Sequence, residues 1–153
     1  MPRVQRAAEV VWEGNLARGE GSISAGTGAF RELPYSAAAR IGAPARKTSP
    51  EELLAAAHAG CYAMSLAGEL TGVGAPPERL DVRAVVTLDE VDGSGHRIVA
   101  SEIRARARVE GIDTNTLDRA AAAADEGCPF SALMRASGTI SVKAELEGGT
   151  SGD

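Results

Sequence analysis

The stretch SPEELLAAAHAGCYAMSLAGEL, Ser49 to Leu70, constrains the fold more than any other part of the chain. Its start is specified three times over. Ser49 offers the side-chain oxygen of a helix N-cap, and Pro50 suits the first helical position, where its missing N–H would have no partner anyway. Glu52 stands three residues after Ser49, as a capping box requires. From Leu53 to Leu70 the side chains are apolar or small on nearly every face, which predicts a helix enclosed by protein rather than lying on a surface. The glycines and prolines of TGVGAPP end it.

Before this helix, Val4 to Ser36 contains short β-like runs, VVWEG and GSIS, separated by the glycine-rich turns ARGEG and AGTGAF, and reads as a strand meander. ARIGAPARKTSP follows as a loop with Pro44 and the basic residues Arg40, Arg46 and Lys47. After the helix, Leu80, Val82, Ala84, Val86 and Leu88 alternate with polar neighbours, the period of a half-buried strand, and DGSG supplies a hairpin turn. In the returning strand Ile98 and Ala100 have one parity, whereas Ile103, Ala105, Ala107 and Val109 have the other; a bulge near Ser101 and Glu102 reconciles them. DTNTLDRAAAAADEG predicts a second helix from about Asp113 or Thr114 to Gly127. CPFSALMRA predicts a short third helix with Pro129 at its first position. Ile140, Val142, Ala144 and Leu146 mark a last strand.

Strands, helix, hairpin, helices, strand is an α+β order rather than an alternating one. At 153 residues and 44% hydrophobic content, the chain suits a single folded domain, residues 1–147, with 148–153 as a disordered tail. The net charge of -5 and the scatter of Lys and Arg argue against a nucleic-acid or anionic-membrane partner. No run of about 18 apolar residues predicts a bilayer span, and MPRVQRAAEVVWEG lacks the apolar core of a signal peptide, so a cytoplasmic protein is expected.

Two cysteines, Cys61 and Cys128, lie far apart in the sequence. In a reducing cytosol such a pair suggests redox chemistry or metal binding over a structural disulfide. Three readings of Cys61 stay open on the residues alone. It is a small buried hydrophobe in an alanine-rich helix. It joins His58, His96 and Cys128 in a two-histidine, two-cysteine metal set, with His58 and Cys61 on one helical face. Or it is a redox nucleophile, which requires a nearby cation and a second thiol. On electrostatic grounds Cys128, placed as an N-cap before Pro129, is the better thiolate of the two.

WEGNLARGEGSIS, PYSAAAR, SPEELLAAAHAGCYAMSLA and EGCPFSALM, in this order, resemble the OsmC branch of the OsmC/Ohr family, the osmotically inducible and organic hydroperoxide resistance proteins. The resemblance covers almost the whole chain. It implies antiparallel strands from both halves of the chain wrapped around a long central helix, in an intertwined homodimer. It also implies a thiol-dependent peroxidase that reduces organic hydroperoxides, with Cys61 as the peroxidatic thiol and Cys128 as the resolving one, the reverse of the dipole argument. The positions matching the family's activating arginine and glutamate are Arg40 and Glu51, with Arg18 as the alternative arginine. No cofactor is implied; an external dithiol, of lipoyl type or on a lipoylated protein, resets the enzyme. A metal-binding or non-catalytic protein of the same fold is the alternative. Tyr35, Phe130, Leu133 and Met134 are candidates for an apolar surface near the thiols.

Glu51 and Cys61 stand ten positions apart, roughly 15 Å of rise on a continuous helix, so they cannot meet along one straight helix. Either the helix breaks or a second copy supplies Glu51. Ala55, Ala59, Gly60, Ala63 and Ala67 would allow two such helices to pack closely.

Overall fold

A computed structural model describes residues 2–42 and 46–148; Pro44 and the expected tail from 149 onward lie outside the described residues. The chain divides into two compact units, Met1–Leu53 and Leu54–Asp153.

In the first unit β1 (Ala8–Glu13), β2 (Glu20–Ala25) and β3 (Leu33–Tyr35) form an antiparallel sheet in sequence order. Trp12 of β1 pairs across with Gly21 of β2, and Gly21 pairs with Tyr35 of β3. A Cβ on Gly21 would lie 2.4 Å from the Tyr35 ring and 2.8 Å from that of Trp12. The glycine therefore lets the two rings close over the strand, centroids 5.5 Å apart and tilted by 59°.

Directly after β3 comes a short helix, α1 (Ala37–Ile41), in the segment expected to be a loop. Ser36 caps it by accepting the Ala39 N–H at 3.1 Å. The sequence signal was the serine before three alanines, overlooked because five residues are too few to show helical periodicity.

The long helix, α2 (Pro50–Gly72), is unbroken and starts where its sequence places it. Its capping is only half the expected box: the Ser49 hydroxyl accepts the Glu52 N–H at 3.1 Å, but the Glu52 carboxylate takes the Thr48 hydroxyl at 3.0 Å. Thr48 in turn donates its backbone N–H to the Pro34 carbonyl, which ties the helix entrance to β3.

The second unit holds most of α2, the strands β4 (Arg79–Val91), β5 (Gly95–Arg108) and β6 (Thr139–Leu146), and the helices α3 (Thr114–Gly127) and α4 (Pro129–Arg135). β4 and β5 make the expected antiparallel hairpin. Its bulge falls at Val99, between the pairs Thr87–Ala100 and Leu88–Ile98, rather than near Ser101 and Glu102. Strand parity shows that a register must change but not at which residue. Beyond the bulge Ser101, Ile103, Ala105 and Ala107 all point inward and are buried.

β6 corrects the expectation of antiparallel strands throughout, because it pairs parallel to β5, Ser101 opposite Ile140 and Ala107 opposite Leu146. The cause is the connection: α3 and α4 form a crossover that returns the chain to the same end of the sheet, as parallel neighbours require.

The core of this unit is one stripe of α2, Tyr62, Leu66 and Leu70, packed with Ile103, Ala105 and Ala107 of β5 and with Leu117, Ala120, Ala121 and Ala124 of α3. The intervals of four in α2 and of three and four in α3 are those of single helical faces. Other positions of α2 stay open: Ala56, Gly60 and Gly68 are exposed, as is Met64 at 78%. Within one chain, then, the helix is not enclosed all round as its composition predicts.

Gly138, just before β6, sits against the Val99 bulge, where an added Cβ would come 2.2 Å from the Val99 carbonyl oxygen. Gly138→Ala must displace backbone on one side or the other. Its urea unfolding midpoint should drop by an amount equivalent to roughly 1 to 3 kcal/mol, the usual range for overpacking.

Candidate active site

In the first unit, α1 and the first turn of α2 bring Arg40 and Glu51 together. Nε and Nη2 of Arg40 both donate to Oε1 of Glu51, at 2.9 and 2.5 Å. The Glu51 side chain is 12% exposed, that of Arg40 44%. Burial is the largest single influence on the Glu51 carboxyl and raises its pKa. It is outweighed by the Arg40 hydrogen bond, Glu51's own backbone N–H, the Arg40 charge and the Ser49 hydroxyl, which together hold the group below the ordinary carboxylate value. The Arg40 guanidinium is held protonated first by that hydrogen bond and further by the Glu51 charge, against the opposing effect of burial. Arg18, the alternative arginine, is exposed in the β1–β2 turn, so the geometry joins Arg40 rather than Arg18 to Glu51.

Beside Arg40 lies a cavity of about 200 Å³ lined by Trp12, Leu16, Tyr35, Ser36, Ala37, Arg40 and Pro50. Tyr35 was expected at an apolar surface; Trp12 and Leu16 were not. The signal for Trp12 was in plain view, the single tryptophan of a chain with 3% aromatic residues.

In the second unit, α2 carries Cys61 and the junction of α3 with α4 carries Cys128. Both are free thiols, Cys61 partly exposed and Cys128 wholly buried. Cys128 closes α3 and opens α4, its backbone N–H donating to the Asp125 carbonyl while its own carbonyl accepts from Ala132. Its thiol lies near enough to that of Cys61 to disfavour the Cys61 thiolate. Two cysteines far apart in the sequence are thus brought near one another.

As N-cap of α4, Cys128 makes no side-chain capping bond. The Phe130 N–H of that first turn lies near enough to the Cys61 sulfur to favour its thiolate. Burial, and after it the hydrogen bond and charge of Cys128, nonetheless push the Cys61 thiol above its ordinary pKa. Of the other expected apolar residues, Leu133 is exposed and Phe130 half-buried, but Met134 is buried in the core and offers no free surface.

The two-histidine, two-cysteine set does not assemble. Both ring nitrogens of His58 are taken by serine hydroxyls, Nδ1 by Ser101 at 2.7 Å and Nε2 by Ser131 at 2.8 Å, and His96 is exposed at the β4–β5 turn. Among the described residues no three His, Cys, Asp or Glu side chains gather as a metal site would need. Among the same residues no helix is long and apolar enough to cross a membrane.

The profile of the OsmC-like protein family matches residues 43–143. The chain belongs to this family. Its OsmC-like sequence is 35% identical over 137 residues to Peroxiredoxin OsmC of Escherichia coli K12, covering 90% of this chain and 94% of that protein. The same figures hold for Peroxiredoxin OsmC of Shigella flexneri. The OsmC-like fold is shared with the organic hydroperoxide resistance protein OsmC of Legionella pneumophila, with a TM-score of 0.70 at 21% identity over 96% of this chain and 99% of that one. It is also shared with OhrB of Bacillus subtilis, with a TM-score of 0.63 at 23% identity over 92% and 98% of the two chains.

Because the folded Glu51 carboxyl lies below its unfolded value of about 4.3, the pair contributes stability that is complete above that pH and is lost as pH falls through the depressed value. Glu51→Gln should therefore lower the urea midpoint at neutral pH and shrink its decline between about pH 5 and pH 3. Parallel curves for the two proteins across that range would show that Glu51 is not held by Arg40 in solution.

Proposed function

We infer that this OsmC-like protein is a thiol-dependent peroxidase in which Cys61 is oxidised first and Cys128 resolves it. The observation that carries this reading is the nearness of two free thiols of unequal exposure, one partly exposed and one buried, with the Phe130 N–H of a helix N-terminus favouring thiolate at the exposed sulfur. The Cys61 thiolate attacks the terminal oxygen of a hydroperoxide, the O–O bond breaks, and the alkoxide leaves with a proton as an alcohol. Cys61 is then a sulfenic acid. The Cys128 sulfur displaces its hydroxyl as water, forming an intramolecular disulfide. An external dithiol, of lipoyl type, takes up the oxidation and restores both thiols, so no bound cofactor is required. The setting is cytoplasmic.

Organic hydroperoxides are the preferred substrates, because a hydrocarbon tail would bury apolar surface worth about 25 cal/mol per Å². The cavity framed by Trp12, Leu16 and Tyr35 beside Arg40 supports this. Arg40, oriented by Glu51, supplies the cation that stabilises the Cys61 thiolate.

The active form is a homodimer of single-domain chains, with Arg40 and Glu51 of one chain serving Cys61 of the other. The unbroken α2 supports this, since Glu51 and Cys61 are roughly 15 Å apart along its axis. So do the small and apolar residues Ala56, Gly60 and Met64, which one chain leaves exposed.

With cumene hydroperoxide, Cys61→Ser should consume no peroxide, whereas Cys128→Ser should consume one equivalent and stop with a trappable sulfenic acid. The reverse pattern would assign the first step to Cys128, and no thiol loss in the wild type would leave a non-catalytic member of the family. Hydrogen peroxide should react at least about tenfold more slowly, equivalent to burial of roughly 55 Å² of substrate tail. Heterodimers of an Arg40→Ala, Glu51→Ala chain with a Cys61→Ser chain should recover about half the specific activity of wild type, one intact site in two. Heterodimers as inactive as both parent homodimers, yet folded, would confine the site to one chain.

A further inference from the structure

The peroxidase reading leaves His58 without a role, although it is the most polar group in the core. It belongs to the same α2 stripe as Tyr62, Leu66 and Leu70 and is fully buried. An imidazole there would be costly to leave unpaired, yet both its nitrogens are satisfied, Nδ1 by Ser101 of β5 and Nε2 by Ser131 of α4. Both hydroxyls are buried as well. Burial is the main influence on the His58 pKa and lowers it; Asp125 opposes this and the Arg135 charge adds to it, which favours the neutral ring. A neutral imidazole donates at one nitrogen and accepts at the other, and rotatable serine hydroxyls serve either tautomer.

The sequence spacing gives this bridge its meaning. His58 precedes Cys61 by three residues on α2, and Ser131 follows Cys128 by three at α4. On helices an interval of three places residues on one face about a turn apart. Two cross-links between the same two segments therefore lie side by side, one of thiols and one of imidazole and hydroxyl. α4 has only seven residues and no side-chain cap; Met134 and the Arg135–Asp125 pair hold its far end, while Ser131 ties its first turn to α2.

We propose that His58 is a positioning residue for the thiol pair: anchored on the sheet by Ser101, it holds α4 through Ser131 where Cys128 and the Phe130 N–H face the Cys61 sulfur. The inference rests on the reading that Cys128 resolves a Cys61 sulfenic acid. The step it governs is disulfide closure, Cys61–SOH plus Cys128–SH giving Cys61–S–S–Cys128 and water. Displacement at sulfur needs the incoming thiol in line with the S–O bond, and a misplacement of about 1 Å can slow such a step by roughly 100-fold.

Amide substitutions separate positioning from mere filling of the core. The asparagine amide occupies the region of the imidazole Nδ1 and reaches only Ser101, whereas glutamine extends to the region of Nε2 and reaches Ser131. After one equivalent of cumene hydroperoxide, quenched samples with dimedone report by mass spectrometry the ratio of disulfide closure to trapped Cys61 sulfenic acid. His58→Asn and Ser131→Ala should lower that ratio at least about tenfold, within the range of misplacement effects. His58→Gln and Ser131→Thr should restore most of it, while thermal melting does not distinguish the asparagine from the glutamine variant.

Closure within twofold of wild type in Ser131→Ala and His58→Asn would overturn the proposal. So would loss of oxidation and closure in equal proportion, or asparagine and glutamine variants that behave alike. Should the His58 variants fail to fold, Ser131→Ala against Ser131→Thr decides by the same ratio. Failure of the underlying reading looks different: the wild type would form no disulfide, or Cys128→Ser would yield no sulfenic acid at Cys61.

Discussion

The contact between one stripe of α2 and the small-residue faces opposite it sets the geometry of the second unit. Tyr62, Leu66 and Leu70 can bury themselves only because Ala105 and Ala107 of β5 and Ala120, Ala121 and Ala124 of α3 leave room for backbones to approach. Each alanine buries little area alone, so the larger α2 residues carry most of the hydrophobic gain; truncating a leucine in such a core costs about 2 to 5 kcal/mol. The Tyr62 hydroxyl is brought to the Ala121 carbonyl at 3.0 Å, which satisfies the one polar atom it carries inward. That same docking fixes which way Cys61 faces, because the thiol sits next to Tyr62 on the helix.

Much of this was readable in the residues. The entrance to α2 is fixed by Ser49 and Pro50, the β4–β5 hairpin by alternation around DGSG, and α3 by Asp113, whose carboxylate accepts the Thr116 N–H at 2.8 Å. What escaped is what local pattern does not encode. Alternation at Ile140, Val142, Ala144 and Leu146 marks a strand but says nothing of its direction; only the crossover through α3 and α4 does. The nearness of Cys61 to Cys128 follows from tertiary closure, which spacing alone does not give. His58 looked like a ligand or a packing residue because its partners, Ser101 and Ser131, are ordinary serines until the fold brings them to it.

Electrostatically the surroundings of Cys61 in its own unit do not favour a thiolate. Burial and the neighbouring Cys128 both hold the proton on Cys61, and the Phe130 amide opposes them alone. The Arg40–Glu51 pair of the first unit is, by itself, a guanidinium kept charged and oriented by a partly buried carboxylate. Under the proposed mechanism such a cation would stay fixed when a substrate arrives, as preorganised stabilisation of a developing charge requires.

The full burial of Cys128 also determines how a disulfide at this site would be undone. Thiol–disulfide exchange proceeds by attack on one sulfur and departure of the other. Under the proposed mechanism, a dithiol arriving from solvent would reach the sulfur of Cys61 rather than that of Cys128, so a mixed disulfide with it would form there, with the sulfur of Cys128 as the leaving group. The route back to the reduced form would then be regioselective, and oxidant and reductant would meet the protein on one face.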